Sequence, residues 1–406
     1  MAPSKLPADL EPTPEARDLV DIFGDVPDTR VLNRCDHKLG DILFIALCST
    51  LCGSVEFTDM EDWGILHKGW LDKFLELENE IPSHDTFRRV LSNLEPELFL
   101  GAFECWVNAV RQKSGKCVVS IDGKACRGTK GVPGELLTIV GAWASDQGIS
   151  LGQLQVEGKS NEITAVPELL EMLDIEGSVV TIDAMGCQKM IAAKCIEKKA
   201  DYALALKGNQ GKIHLQVSTY LDGMIADDLE AGYVRKEKTR GRRETRRCWA
   251  LGDDLGDWLE GWQEWEGLRS VVAVELEREE GGKTTVERRY FITSLAPDAE
   301  ELARVVRAHW GVENSLHWVL YVVFGEDASR ARTRNAGANL STLRRLSLNL
   351  LKVTPTEKYK KWTMKRRRSA AGSSAIDLTL LVTDDSISEG SETATLTVLD
   401  LSLIHI

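Results

Sequence analysis

No apolar run in this chain of 406 residues approaches the roughly 18 residues that a membrane-spanning helix needs, so none is expected. A Cys-x-x-Cys pair is lacking too. The nine cysteines are scattered and odd in number, which excludes a disulfide framework or a zinc ribbon and reads as reduced, cytosolic usage. Met1 to Glu15 is rich in proline and acid and has no charged-then-apolar leader, so a soluble, cytoplasmic protein is expected. Net positive charge is absent as well: the formal balance is −13, which taken alone speaks against a nucleic-acid partner. Its distribution says otherwise. Residues 235–247 hold eight Lys/Arg against Glu237 and Glu244, and residues 358–368 hold seven with no acid. These are two basic patches on an acidic body or, in the plainer account, solvated charge runs.

The length allows two or three domains. From Glu15 to about Val110 apolar residues recur at helical spacing: Leu19, Val20, Ile22 and Phe23, then Ile42 to Leu47, then Thr86 to Leu91 behind Ser83 or Asp85 as N-cap. This is a small helical domain, on which Arg88 and Arg89 share a face suited to phosphate or to water. From Lys116 strands take over, at Cys117–Ile121, Leu137–Ala144 and Gln153–Val156. A helix at Ala165–Leu173, a strand at Val179–Ile182, a helix near Cys187–Lys199 and a strand at Tyr202–Leu206 follow. Such alternation implies a mixed α/β sheet with helices packed on it. Residues 224–289 break the rhythm and read as a β-rich insertion. The core resumes at Tyr290 and runs into one long helix from about Ala299 to Val323, then a basic helical end near Leu340–Leu351. The expected boundaries are therefore 1–14, disordered; 15–112, helical; 116–223 with 290–352, the α/β core; 224–289, the insertion; and 353–406, an acidic, Thr/Ser-rich tail of foreign texture, chimeric or disordered.

Two runs are near copies, Val118-Val119-Ser120-Ile121-Asp122 and Val179-Val180-Thr181-Ile182-Asp183. Unbroken β-branched runs suit strands buried on both faces, and each delivers an aspartate at its end, where ligands meet a sheet edge. Two such edges could hold one metal ion between them; alternatively each Asp only caps the next turn. The stretch His309-Trp310-Gly311-Val312-Glu313-Asn314-Ser315-Leu316-His317-Trp318 offers a third oxygen ligand, because His309, Glu313 and His317 fall four apart on one helix face. The plainer alternative is a solvated face with the tryptophans alone buried.

Ser120–Lys124, Thr181–Gln188, Ala205–Gln210 and the His309–Trp318 block, in that order and spacing, resemble the ISAs1 (H-repeat-associated) family of bacterial insertion-sequence transposases over roughly Glu15 to Leu351. His37-Lys38-Leu39 and Asp85–Val90 resemble the domain that accompanies this family's core. The resemblance implies an RNase H-like mixed-sheet core with a β-rich insertion, preceded by a small helical domain. It also implies an acidic DDE triad of Asp122, Asp183 and Glu313, catalytic and metal-holding. The 130 positions from Asp183 to Glu313 exceed a minimal core of this kind, and the insertion accounts for them. Mg²⁺ or Mn²⁺ as cofactor, DNA as partner (the ends of the insertion sequence and its target), a homodimer or higher assembly on DNA and a place at the nucleoid are implied with it. Where family members continue His-Trp-x-Leu-Asp, this chain has Tyr321.

Phosphodiester cleavage and transfer need charge stabilisation more than a protein nucleophile, and hard carboxylate oxygens hold the cations that supply it. Lys124, Lys207, Asn209 and Gln210 follow strands on the same edge and are expected to hold phosphates. Arg307, His309, Asn314 and His317 flank Glu313 and are expected at the scissile strand. Arg240, Arg242 and Arg243, around Gly241, are expected on a flexible loop along the DNA backbone. Two other readings stay open at this point. One is a metal-dependent hydrolase with His309, Glu313 and His317 as ligands; the other is a DNA-binding remnant without cleavage, which Tyr321 favours.

Overall fold

The computed structural model describes residues 19–73, 75–111, 117–126, 137–157, 162–239, 241–252, 254–353, 363–371, 380–382 and 394–396. Five helices come first: α1 (Leu19–Gly24), α2 (Leu39–Cys52), α3 (Phe57–Leu71), α4 (His84–Asn93) and α5 (Pro96–Val110). α2 is buried on every side from Asp41 to Leu51, as an almost wholly apolar helix must be. α4 is two-faced, with Phe87, Val90 and Leu91 buried, and it starts at Ser83, whose hydroxyl accepts from the Thr86 amide.

Strands and helices then alternate: β1 (Val118–Ala125), β2 (Leu137–Ala144), β3 (Ile149–Glu157), α6 (Glu162–Met172), β4 (Val179–Ile182), α7 (Lys189–Glu197), β5 (Asp201–Leu206) and α8 (Gly211–Ala226). β6 (Tyr233–Thr239), β7 (Arg242–Leu251), α9 (Leu255–Trp258), β8 (Ser270–Glu280) and β9 (Lys283–Thr293) precede α10 (Ala299–His309). The chain continues as α11 (Trp318–Val322), α12 (Ala336–Val353), α13 (Met364–Ala371) and a short antiparallel pair, β10 (Leu380–Val382) and β11 (Ala394–Leu396). Packing divides it into two compact units, one of α1–α5 with the elements from α11 onward, the other of β1–β9 with α6–α10.

The second unit is built on a nine-stranded sheet in the order β3-β2-β1-β4-β5-β9-β8-β7-β6. β1, β4 and β5 run parallel and every other pairing is antiparallel, so this is a mixed α/β fold with a large mixed sheet. β9 pairs with β5, so the strands from the insertion lengthen the core sheet instead of forming a sheet of their own. α10 lies across one face, with Leu302 and Val305 packed on Val118, Val179, Ala203 and Val272.

Three expectations need correction. β1 does not end at Asp122 but runs on to Ala125, because β2 continues to pair with it after β4 has stopped. The stretch read as a flexible basic loop is the β6–β7 hairpin, with Gly241 at φ 84° between the strands. Like charges face each other directly across the hairpin, Arg235 opposite Arg246 and Glu237 opposite Glu244, and they are matched instead by diagonal and β8 partners, Arg246 with Glu237 and Arg247 with Glu275. The single long helix from Ala299 to Val323 is broken: α10 stops at His309, and residues Glu313–His317 form a π-helical turn before α11. Gly311 weakens the helix at the break.

In the helical unit the basic helical end is largely internal. Arg344 and Arg345 of α12 are buried, Arg345 against Glu326 at 3.2 Å. Asn339 donates to the carbonyls of Leu91 and Leu94, both at 2.9 Å, which fastens α12 to the end of α4. Among the described residues no single helix is long and apolar enough to cross a membrane. Most of the tail read as foreign lies outside the described residues, as does the N-terminal segment before residue 19.

Candidate active site

The register of the two near-identical strands decides where the acids go. β1 and β4 pair in parallel with Val118 opposite Val179 and Ile121 opposite Ile182, so Asp122 and Asp183 follow side by side. Side chains alternate along a strand, so Ser120 and Asp122, like Thr181 and Asp183, share the face on which Val118 and Val179 meet α10. Asp183 also caps a turn, as the plainer account of it holds: its Oδ1 accepts from the amides of Met185 at 3.0 Å and Gly186 at 3.4 Å. Its second oxygen has no part in that cap. A Cβ at Gly186 would lie 2.2 Å from Ile182 Cγ2, so only glycine permits this turn.

Beneath the acids runs a chain of hydroxyls, buried at Ser120 and Thr181 and half-buried at Ser145. Thr181 Oγ1 donates to Ser120 Oγ at 3.1 Å, Ser120 meets Ser145 Oγ at 3.1 Å, and Ser145 donates to the carbonyl of Ala308 at 3.1 Å. His309 Nδ1 lies 3.1 Å from Thr181 Oγ1. Burial pushes the His309 pKa down, with Asp183 opposing, so the ring is neutral and can donate Nδ1–H to the threonine. The sequence reading missed Ser120, Ser145 and Thr181. The available signal was a polar residue at alternate positions inside two otherwise apolar runs.

The π-helical turn brings Glu313 and His317 to Asp122. His317 Nδ1 is 3.3 Å from Glu313 Oε2 and 3.5 Å from Asp122 Oδ2, and the ligand atoms of the three residues all lie within 4.8 Å of one another. The wider turn of a π-helix stacks residues four apart more nearly above one another than an α-helix does, and such turns are frequent at functional sites. Burial raises the Asp122 carboxyl to about 7, and the charges of Asp183, Glu313 and Glu162 add to the rise; the Gly123 amide, donating at 2.9 Å, opposes it. Glu162, at the start of α6, is a further acid that the sequence reading missed. Its Oε2 would be 2.7 Å from a Cβ at Gly123, so the carboxylate rests against a backbone that only glycine leaves open. Among the described residues no lysine or arginine forms an ion pair with Asp122, Asp183 or Glu313. A crowd of oxygen donors of one sign, with one imidazole, suits a divalent cation.

Other expected site residues are placed differently. His309 points at Thr181 and is absent from the Asp122–Glu313–His317 cluster, which removes the ligand set of the hydrolase reading. His317 was expected at the DNA, but its ring is 7% exposed and turned to two carboxylates. Asn209 Nδ2 donates to the carbonyl of Ala184 at 2.5 Å and Gln210 Nε2 to that of Cys187 at 2.8 Å, so both amides brace the turn that carries Asp183. Lys124 is half-buried and Lys207 exposed. Arg307 pairs with Glu237 at 3.2 Å, Arg242 with Glu280 at 2.8 Å and Arg243 with Glu279 at 3.6 Å; Arg240 lies outside the described residues. Asn314 is exposed beside Trp310, over whose ring Arg289 stands at 4.2 Å. Tyr321 is exposed on α11.

Residues 113–350 match the family described as Transposase DDE domain, and residues 20–107 the one described as DDE_Tnp_1-associated. The chain is an ISAs1-type DDE transposase. It is 39% identical to "Putative transposase YncI" of Escherichia coli O157:H7 over 82% of this chain and 87% of the relative. It is 36% identical to "H repeat-associated putative transposase YhhI" of Escherichia coli K12 over 88% and 96%. A solved piggyBac transposase synaptic complex with hairpin DNA aligns over 92% of this chain and 85% of its own at 10% identity and a TM-score of 0.37, too slight a likeness to argue from. As a DDE transposase the protein is an enzyme of DNA transposition, a class that works with divalent metal. Its large mixed sheet fits an RNase H-like core.

Proposed function

We propose that this transposase cuts and joins DNA strands at the Asp122, Asp183 and Glu313 carboxylates, which hold Mg²⁺ or Mn²⁺. When bound, the ions activate the attacking oxygen and stabilise the leaving 3′-oxygen of an in-line displacement. Asp122, Asp183 through the oxygen not spent on its turn, and Glu313 from the π-turn would hold the ions. His317 fixes the Glu313 carboxylate against Asp122 and adds a nitrogen donor. Asn209 and Gln210 position Asp183, and neutral His309 with Thr181 holds the end of α10 to the sheet. The strand order β3-β2-β1-β4-β5, antiparallel then parallel, supports the RNase H-like assignment. The boundaries 15–112, 116–223 with 290–352 and 224–289 are proposed as functional domains, following the order of the motifs.

Lys124, Lys207, Arg307, Asn314, Arg242 and Arg243 are proposed as contacts to the DNA strands. For Arg242 and Arg243 such a contact replaces an exposed ion pair worth about 1 kcal/mol or less, which a phosphate easily offsets. Pairing two element ends calls for a homodimer or higher assembly, acting at the nucleoid. The observation that carries the proposal is the cluster of Asp122, Glu313 and His317, with ligand atoms within 4.8 Å of one another beside Asp183, where among the described residues no lysine or arginine pairs with the three acids.

The test is strand cleavage of a labelled duplex carrying the element's ends, with Mg²⁺ or Mn²⁺, comparing the parent chain with Asp183→Asn. Asparagine keeps an oxygen for the turn cap, so the variant removes charge and leaves the local fold. Metal-dependent nicking that disappears in the variant supports the triad; nicking that persists unchanged overturns it.

A further inference from the structure

We infer that the helical unit carries a second DNA surface, formed by the exposed face of α4 and the arginine-bearing segment before α12, which grips the phosphates of a duplex. The inference rests on the transposase reading, in which DNA is the partner, and concerns a contact made wholly within this unit. α4 buries Phe87, Val90 and Leu91 and therefore turns Arg88, Arg89 and Asn93 outward. Before α12, Arg330, Arg332 and Arg334 recur at alternate positions and all are exposed. This segment is fastened to α4. The Asn335 backbone amide donates to the Ser92 carbonyl at 3.2 Å, and its side chain donates to Leu94 at 3.1 Å.

Two further features favour a ligand over a merely solvated face. Arg334 has φ 45°, a left-handed backbone that costs a non-glycine residue about 1 kcal/mol, and its guanidinium bonds to the neutral amide oxygen of Asn93, so the charge is positioned without being cancelled. Arg88, Arg89, Asn93 and Arg334 line one open groove, and Arg89 and Asn93 also line a neighbouring groove that adds Arg30 and Arg34. Asp85 pairs with Arg88 at 2.7 Å and Asp28 with Arg30 at 2.6 Å, yet among the described residues Arg34, Arg89 and Arg330 have no ion-pair partner. Guanidinium groups on α4 and on the segment hydrogen-bonded to its end suit the phosphates of a duplex, and each contact releases condensed counterions.

The experiment measures binding of the full chain to a fluorescein-labelled duplex of mixed sequence by anisotropy, without divalent metal, over a salt series. The variant is Arg89→Ala with Arg334→Gly, glycine being chosen because it relieves the left-handed strain while removing the charge. The dissociation constant is expected to rise about tenfold or more, and the slope of log affinity against log salt to fall by nearly 2, from about 0.9 per lost phosphate contact. Arg89→Lys with Arg334→Lys is expected to keep most of the affinity. An unchanged dissociation constant and slope in the Ala/Gly variant overturn the inference. Failure of the cleavage reading shows separately, as normal nicking by Asp183→Asn, and leaves this metal-free assay untouched.

Discussion

The two halves of the nine-stranded sheet handle charge in opposite ways. Across β6–β9 the arginines find carboxylates: Arg246 bridges Glu237 at 2.6 Å and Glu244, Arg278 meets Glu244 at 3.1 Å, and Arg247 joins Glu275 at 2.9 Å to Glu277 at 2.8 Å. At the β1–β4 edge Asp122, Asp183 and Glu313 gather with one sign beside His317, and among the described residues no lysine or arginine pairs with them. The first arrangement neutralises itself and requires no visitor. The second is comfortable only with a proton or a cation, since like charges brought together in a half-buried site disfavour ionisation. The density of charge in a sequence therefore says less about function than whether the fold gives each charge an opposite. By that criterion Arg235, Arg242, Arg243, Arg246 and Arg247 are spent first on the sheet.

The contrast can be broken most decisively at the acids. Asp183→Asn should lower single-turnover nicking by about three orders of magnitude, on the order of 4 kcal/mol of transition-state stabilisation. A loss under tenfold would place the chemistry elsewhere. The next effect is on stability without metal. The folded Asp122 pKa is raised from 3.8 to about 7, so its favourable contribution is whole below pH 4 and is lost as pH rises through 7. The metal-free melting temperature should fall between about pH 4 and 7, by an amount equivalent to about 3 kcal/mol once the 28% exposure of the side chain is allowed for. Asp122→Asn should flatten that slope, and added Mg²⁺ should restore the parent's stability at pH 8.

A smaller effect is expected where the charges are already matched. Glu244→Ala removes the shared partner of Arg246 and Arg278 and should cost about 1–2 kcal/mol in urea unfolding, with the metal-dependent nicking rate unchanged at saturating DNA. Smallest of all, Arg242→Ala breaks an exposed pair with Glu280 and should change unfolding by less than about 0.5 kcal/mol. Its effect on duplex affinity should also fall well short of that of Arg89→Ala with Arg334→Gly. Equal losses at the two places would erase the distinction between matched and unmatched arginines.

Much of this was legible in the residues. The unbroken β-branched runs marked β1 and β4, because a doubly buried strand admits little else, and the paired aspartates followed from them. The turn after Asp183 was legible in Ala184-Met185-Gly186, whose amides and glycine suit a capped turn. The π-turn was not legible: spacings of four fit an α-helix equally well, and only packing against the sheet decides whether the helix widens at Glu313. Glu162 was hidden for a similar reason, since nothing local marks a residue that reaches its place by crossing from α6 to Gly123.

The sequence by itself determined the strands, their register-setting apolar pattern, the two aspartates at matching positions and, through four ordered motifs, the transposase family. These are local or linear properties, set by side-chain period and spacing. Tertiary structure alone decided which charges would meet an opposite and which would not. Arg246 is neutralised by Glu237 on the neighbouring strand and Glu244 on its own, Arg89 has no ion-pair partner among the described residues, His309 is drawn to Thr181 and His317 to Asp122. Electrostatic pairing depends on distances of a few ångströms between residues far apart in the chain, and those distances exist only once the chain has folded.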